Sequence, residues 1–285
     1  MKPEQVVILC GGLGTRLLPY TSQMPKPMIL CDGRPFLWHL MQQLNDQGFT
    51  RFLLLTGYLS DQIESYFNDG IEFGWDVTYS RGPIEWDTGR RLLEAKSLID
   101  KCFLLMYSDN FAPFDFERLY EIHSASNLPL SLMIFPKSPG NIQLADDGRI
   151  TEYNNDRSDD SLKYVEIGYM IVNKRVLFEN ITNPDCGLPS VLRALVDTGQ
   201  INGYRQCDQY HSISDPIRWK KTEAYLRQKK IILLDRDGII NKKAPKGEYI
   251  SRWEAFDWIE DTLTALKFLA FYSLLNFPCK KSSRY

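Results

Sequence analysis

Apolar residues open the chain in an unbroken run from Val6 to Leu9, the pattern of a strand covered on both faces in a parallel sheet. The first half then alternates strand-like and helix-like stretches. Val6–Cys10, Arg51–Thr56, Val77–Tyr79, Phe103–Tyr107 and Leu130–Phe135 read as strands. Phe36–Asp46 reads as a helix whose apolar face carries Leu37, Leu40, Met41 and Leu44. Ser60–Asn68, with Ser60 as N-cap, Thr88–Lys96 and Phe114–Ser124 complete the helices. This rhythm predicts an α/β fold, a doubly wound, mixed but mainly parallel sheet with helices on both faces. Ligands in such sheets bind at the carboxyl ends of the strands, where Gly11–Arg16 and Ser108-Asp109-Asn110 fall.

From Pro136 the rhythm changes. Asn141–Leu144, Arg149–Asn154 and Val165–Asn173 read as strands separated by polar turns such as Asp146-Asp147-Gly148, and Asn154–Ser161 as a polar loop. Pro216–Lys230 reads as a helix ending in a basic run. A new apolar strand, Ile231–Leu234, follows and leads into Asp235-Arg236-Asp237-Gly238-Ile239-Ile240-Asn241. The expected division is a first domain over 1–228 and a second segment over 229–285.

Composition narrows the chemistry. The 285 residues are 44% hydrophobic and 25% charged, with a net charge of -2, so nothing points to nucleic acid or an anionic membrane as partner. No apolar run approaches the ~18 residues that span a bilayer, and the N-terminus lacks a signal-peptide shape. The six cysteines are scattered without a close pair, which favours reduced thiols and a cytoplasmic location over disulfides or zinc. His39, His123 and His211 lie far apart and read as structural. Homo-oligomer formation is left open.

The most informative string runs from Leu9 to Met28. Gly11, Gly12 and Gly14 let the backbone turn and approach a ligand, with Thr15 beside them, and Arg16 and Lys26 add two cations. Bare N–H groups plus fixed cations suit a triphosphate. It is neither a P-loop, since Gly14-Thr15-Arg16 stands where Gly-Lys-Ser/Thr is required, nor a dinucleotide fingerprint, since Leu17 takes the place of the third glycine.

With Pro25-Lys26-Pro27 included, the string resembles the signature of the sugar-1-phosphate nucleotidyltransferases, over roughly residues 4 to 227. The resemblance implies a Rossmann-like nucleotide-diphospho-sugar transferase fold. It also implies attack of a sugar 1-phosphate on the α-phosphorus of a nucleoside triphosphate, with Mg²⁺ as cofactor. Arg16 would then hold the leaving pyrophosphate, and Lys26 the α-phosphate and the incoming phosphate. Asp109 resembles the family's metal-binding aspartate, with Ser108 in place of a glycine; the alternative is a helix N-cap or turn aspartate before Phe114. Glu85-Trp86-Asp87-Thr88-Gly89 resembles the base-contacting segment, with Gly89 allowing close approach, and otherwise reads as a plain helix start at Asp87-Thr88; Glu166-Ile167-Gly168 resembles the sugar-binding segment, which otherwise reads as a strand bulged at Gly168.

Two positions depart from the family pattern. Asn154-Asn155-Asp156-Arg157 replaces a Glu-Lys pair whose lysine grips the sugar phosphate, leaving Arg157 or Lys163 to substitute. Ser212-Ile213-Ser214-Asp215-Pro216 replaces Asp-Ile-Gly-Thr-Pro, putting Ser212 where a second metal-binding Asp is usual, with Asp215 or Asp208 as compensating candidates.

Asp235 and Asp237 resemble the nucleophile and acid–base pair of haloacid-dehalogenase-type phosphatases, and the surrounding residues resemble those acting on heptose 1,7-bisphosphate and histidinol phosphate. The later motifs of that fold are missing, so this segment reads as an incomplete remnant with vestigial aspartates. The pairing favours D-glycero-D-manno-heptose 1-phosphate and GTP as substrates. Mannose or glucose 1-phosphate with another triphosphate, a non-catalytic nucleotide-sugar binder, and a working phosphatase with a tethered transferase are the alternatives.

Overall fold

The structure, a computed structural model, describes residues 1–154, 159–205, 209–227 and 234–271. Arg157, Asp208, residues 231–233 of the expected strand and the tail from residue 272 lie outside the described residues. The chain divides into two compact units, Met1–Arg227 and Gln228–Tyr285.

Among the described residues, nine strands build the main sheet of the first unit: β1 (Gln5–Cys10), β2 (Arg51–Thr56), β3 (Asp76–Arg81), β4 (Cys102–Tyr107), β5 (Leu130–Pro136), β6 (Ile142–Leu144), β7 (Ile150–Tyr153), β8 (Tyr164–Asn173) and β9 (Ile201–Arg205). β1 lies between β2 and β4, parallel to both, and β3 extends the parallel part beyond β2. β8 reverses direction, pairing antiparallel with β4 and β5, and β9 runs parallel to β5. The sheet is therefore mixed, with a parallel half that carries the strand ends of interest.

The α-helices are α1 (Phe36–Asn45), α2 (Ser60–Phe67), α3 (Thr88–Glu94), α4 (Phe116–Ser126), α5 (Lys174–Asn180), α6 (Leu188–Asp197) and α7 (Pro216–Arg227). Alternation along the central strands divides their side chains between two cores. Val6, Ile8, Phe52, Leu54, Leu104 and Met106 face α1, α2 and α4. Val7, Leu9, Leu53, Leu55, Phe103 and Leu105 face α3, α5 and α6. Coverage on both sides is why these strands read as apolar runs rather than as alternating ones. One polar side chain is buried in β1, and it is satisfied: Gln5 donates to the Leu98 carbonyl and accepts from the Asp100 N–H, each at 2.9 Å.

The helix expectations need three corrections. Ser60 does not cap α2: Leu59 occupies the cap in the left-handed region and Ser60 is a buried first-turn residue. The helix expected from Phe114 starts at Phe116, capped by Asp115, whose carboxylate accepts from the Arg118 N–H at 3.2 Å. Asp109 is thus not a helix cap. α5, α6 and β9 were not foreseen, although α6 buries Leu188, Val191, Leu192, Leu195 and Val196 at helical spacing. Each such fully buried side chain contributes about 1.5–3 kcal/mol relative to exposure.

In the second unit, a turn at Gly238 (φ 86°) donates its N–H to Asn241 O at 2.7 Å. Trp253, Phe256 and Trp258 form an aromatic cluster, followed by α8 (Glu260–Phe271). Among the described residues no helix is long and apolar enough to cross a membrane. Cys10, Cys31, Cys102 and Cys186 are free thiols, and burial pushes Cys10 and Cys31 each up to about 12.

Candidate active site

The carboxyl ends of β1 and β4 open into a cleft of about 550 Å³. Gly11, Gly12, Gly14, Thr15 and Arg16 form one wall, Lys26, Ser108 and Asp109 another, and Glu166 faces in from β8. The structure thus brings together most of the residues singled out from the sequence. Gly89 and Gly168 do not line it.

The glycines of the loop have different local reasons. Gly14 sits at φ 66°, a left-handed conformation that favours glycine, and its carbonyl accepts from the Thr21 hydroxyl at 3.0 Å. A Cβ on Gly11 would fall 2.3 Å from the guanidinium carbon of Arg91. Around Gly12 a Cβ would meet nothing within 4 Å, so the fold itself does not require glycine there.

Lys26 is held by its neighbours. Pro25 and Pro27 stiffen the backbone on either side, and Pro27 and Met28 are buried, anchoring the turn that presents the lysine. Its ammonium lies 2.7 Å from the Asp109 carboxylate, with side-chain exposures of 14% and 27%. Asp109 is fixed through its backbone, because its carbonyl accepts from the Ile213 N–H at 3.0 Å, next to a ribbon pairing Asn110–Phe111 with His211–Ser212. Ser108, standing where the resembled family has glycine, is accommodated because its hydroxyl donates to Leu9 O at 2.7 Å. Arg16 is exposed and enters no ion pair with a described residue.

Arg91 is the main site residue that the sequence reading missed. It is 5% exposed, lines the cleft, and donates to Thr56 O at 2.6 Å, Pro83 O at 2.7 Å and Gly11 O at 3.4 Å. Burial lowers its pKa from the ordinary arginine value, opposed by the Asp87 carboxylate, yet a guanidinium remains protonated at any physiological pH. The staple ties the loop after β1 to the ends of β2 and β3 and leaves a positive charge beneath the glycines. Trp86, Asp87, Thr88, Tyr107 and Ser214 also line the cleft.

Gly89 lies behind this wall. Its N–H donates to Cys186 O at 3.0 Å, and a Cβ would fall 2.4 Å from that oxygen. Close packing accounts for this glycine, and Asp87 caps α3 beside it. Gly168, at φ 81°, is the centre of a bulge: the register of β8 on β5 shifts between Glu166 and Met170. A Cβ there would fall 2.5 Å from the Tyr107 ring. The bulge separates Glu166, on the cleft, from Tyr169, whose hydroxyl is buried between the Ala112 N–H and Gln43. We expect Gly168→Ala to lower stability by roughly 1–3 kcal/mol through backbone strain and the ring contact, read as a lower thermal midpoint.

Asp215 does not line the cleft. Its carboxylate accepts from the Arg218 N–H at 2.9 Å, at the start of α7, and that hydrogen bond holds it below the usual carboxylate range. Ser212 is buried, its hydroxyl 3.2 Å from that of Ser214. Lys163 donates to Asp160 O at 2.8 Å and is absent from the cleft wall. Asp235 and Asp237 belong to the second unit, where Arg236 forks onto Asp237 at 2.8 and 3.1 Å.

Comparison with known proteins gives a consistent picture. Residues 5–178 match the family model described as nucleotidyl transferase. Glucose-1-phosphate cytidylyltransferase of Salmonella typhimurium is 29% identical over 61% of this chain and 76% of its own length. D-glycero-alpha-D-manno-heptose 1-phosphate guanylyltransferase of Aneurinibacillus thermoaerophilus is 32% identical over 46% of this chain, a match spanning 57% of that protein. In fold, the chain is similar to the inositol-1-phosphate CTP transferase of T. maritima, with a TM-score of 0.67 at 21% identity, covering 79% of this chain and 95% of the other.

Proposed function

Because the chain belongs to the nucleotidyl transferase family, we propose that it couples a sugar 1-phosphate to a nucleoside triphosphate, giving a nucleotide sugar and pyrophosphate. The observation that carries this reading is the meeting of Lys26 and Asp109, 2.7 Å apart, on the same cleft as Arg16 and the bare backbone of Gly12. A phosphate monoester has a second pKa of ~6 and is mostly a dianion at neutral pH, so the nucleophile needs no general base. An oxygen of the sugar phosphate attacks the α-phosphorus. The bond from the α-phosphorus to the α–β bridging oxygen breaks, and pyrophosphate leaves with that electron pair. The protein's task is to position the groups and neutralise charge. Arg16 takes the β- and γ-phosphates, Lys26 the α-phosphate and the incoming monoester, and Glu166 the sugar hydroxyls.

Mg²⁺ fits this donor set in one specific way. It is commonly held by one or two carboxylates plus substrate phosphates. Asp109 supplies one carboxylate on the cleft, and no cluster of three or more His, Cys, Asp or Glu able to hold a metal occurs among the described residues. Asp109, beside Lys26 and with Asp87 and Glu166 as the other carboxylates on the cleft wall, would be the protein ligand, and the ion would add positive charge against the triphosphate.

Heptose 1-phosphate with GTP is the substrate pair we favour. The activity named for the Aneurinibacillus relative supports it, as does the resemblance of Asp235–Asn241 to phosphatases acting on heptose bisphosphate. Glucose 1-phosphate with CTP is the second reading, supported by the larger share of the Salmonella relative that is matched. Pyrophosphate release, screened over four triphosphates and a panel of sugar 1-phosphates, decides between them. Higher kcat/KM for glucose 1-phosphate with CTP would reject the first pair. Nucleotide binding without pyrophosphate release under any condition would reject turnover.

Gly12 gives a sharper test of the loop. With open space around its Cβ and no positive φ, Gly12→Ala is expected to fold as well as the parent or up to about 1 kcal/mol better. Its KM for the triphosphate should nonetheless rise by roughly tenfold, since the methyl group occupies the surface that the phosphates approach. An unchanged KM would remove the loop from the phosphate site.

In the same reading the second unit contributes no phosphatase activity. Arg236 forks onto the Asp237 carboxylate at 2.8 and 3.1 Å, so this carboxylate is tied up in an ion pair rather than free to act as an acid or base. Incubation with heptose 1,7-bisphosphate should release no phosphate. Release that disappears in Asp235→Asn would overturn this.

A further inference from the structure

A smaller concavity, of about 270 Å³, lies beside α7 in the first unit. Its wall carries Lys137, Arg218 and Lys221, with the imidazole of His211 and the hydroxyls of Ser212 and Thr222. No described carboxylate lines it. Lys137 and Lys221 enter no ion pair with a described residue. Arg218 shares its charge with Asp215 at 3.5 Å, but both side chains are 40% exposed, so the pair is screened and weak. Like charges gathered around a cavity this small repel one another, and an anion between them turns that repulsion into attraction.

The polar groups at its base are already ordered. Thr222 donates to Ser212 O at 2.8 Å, and Arg218 Nη1 comes within 3.5 Å of Ser212 Oγ. His211 lies flat on Tyr225, ring centroids 3.8 Å apart, and its Nε2 is buried with no hydrogen-bond partner among the described residues. A neutral imidazole can offer that nitrogen as a donor. The pocket also adjoins the cleft. Ser212 lines the pocket, Ser214 lines the cleft, and their hydroxyls are 3.2 Å apart.

We propose that this pocket is a second anion site that takes a phosphoryl group, separate from the phosphates held at the glycine loop. A phosphoryl group brings up to two negative charges and three acceptor oxygens, matching several fixed donors better than a single carboxylate does. The group can come from a second phosphate on the acceptor sugar or from a free phosphomonoester.

Titration calorimetry of the full chain with inorganic phosphate at low ionic strength tests the site. Lys137→Ala/Lys221→Ala removes two cations that hold no described partner, and a thermal midpoint confirms that the variant is folded. This variant should weaken phosphate binding by about tenfold or more, the scale of losing charge-assisted hydrogen bonds, whereas Arg16→Ala should retain the binding. Equal binding in Lys137→Ala/Lys221→Ala and the parent, or loss in Arg16→Ala alone, overturns the proposal. Turnover identifies the source. A preference for a sugar bisphosphate that the double variant erases assigns the group to the acceptor. A change in sugar 1-phosphate kinetics on adding a phosphomonoester, erased by the same variant, assigns it to a free ligand.

Discussion

Asp109→Asn is expected to lower the rate of pyrophosphate release by about 10²-fold or more, the scale of losing one positioned electrostatic group. Asparagine keeps the shape and leaves the backbone bond from Ile213 to Asp109 intact, so the fold should be preserved. What goes is the negative charge, and with it both the partner of Lys26 at 2.7 Å and the carboxylate proposed to hold Mg²⁺. Losing metal affinity and losing chemistry can be separated. A rate that recovers partly at high Mg²⁺ points to weakened metal binding, whereas a uniform loss points to a displaced Lys26. A variant within threefold of the parent at every Mg²⁺ concentration would take Asp109 out of the site.

Arg91→Ala should cost about 3 kcal/mol of folding stability, because it removes three hydrogen bonds from a charged, buried donor. For a domain of this size that is roughly a 6–12 °C drop in thermal midpoint. Each of the carbonyls keeps a second partner, from the N–H groups of Gly82, Trp86 and Tyr58, so outright unfolding is not expected. Arg91→Lys is the informative companion. One ammonium keeps the charge but cannot reach carbonyls arrayed around a planar fork. If the charge beneath the glycines matters most, lysine restores much of the triphosphate affinity and little of the stability. A thermal midpoint unchanged in Arg91→Ala would contradict the staple.

These two residues show what could be read in advance. Asp109, like the glycine loop from Gly11 to Arg16, comes just after a contiguous apolar strand, so its position at a strand end follows from local pattern alone. Arg91 gives no such signal. It lies in a helix beside Arg90, and only the folded chain brings it against backbone carbonyls near residues 11, 56 and 83. Gly89 shows the converse: a glycine in a segment that resembles a ligand-contacting one is accounted for by Cys186 O packing against it. α6 is legible in its spacing of Leu188, Val191, Leu192 and Leu195.

The ribbon that joins Asn110–Phe111 to His211–Ser212 has a consequence for the order of synthesis. The nascent chain emerges at roughly 5–20 residues per second. β1, whose six residues are all buried, waits for both β2 and β4 before its edges are covered. The backbone that fixes Asp109 must wait longer still, until Ile213 leaves the ribosome. Pairings of such wide sequence separation form late and slowly. During translation the emerging protein therefore carries an apolar strand without neighbours and a glycine loop without its opposing wall, the condition in which a chaperone finds its client.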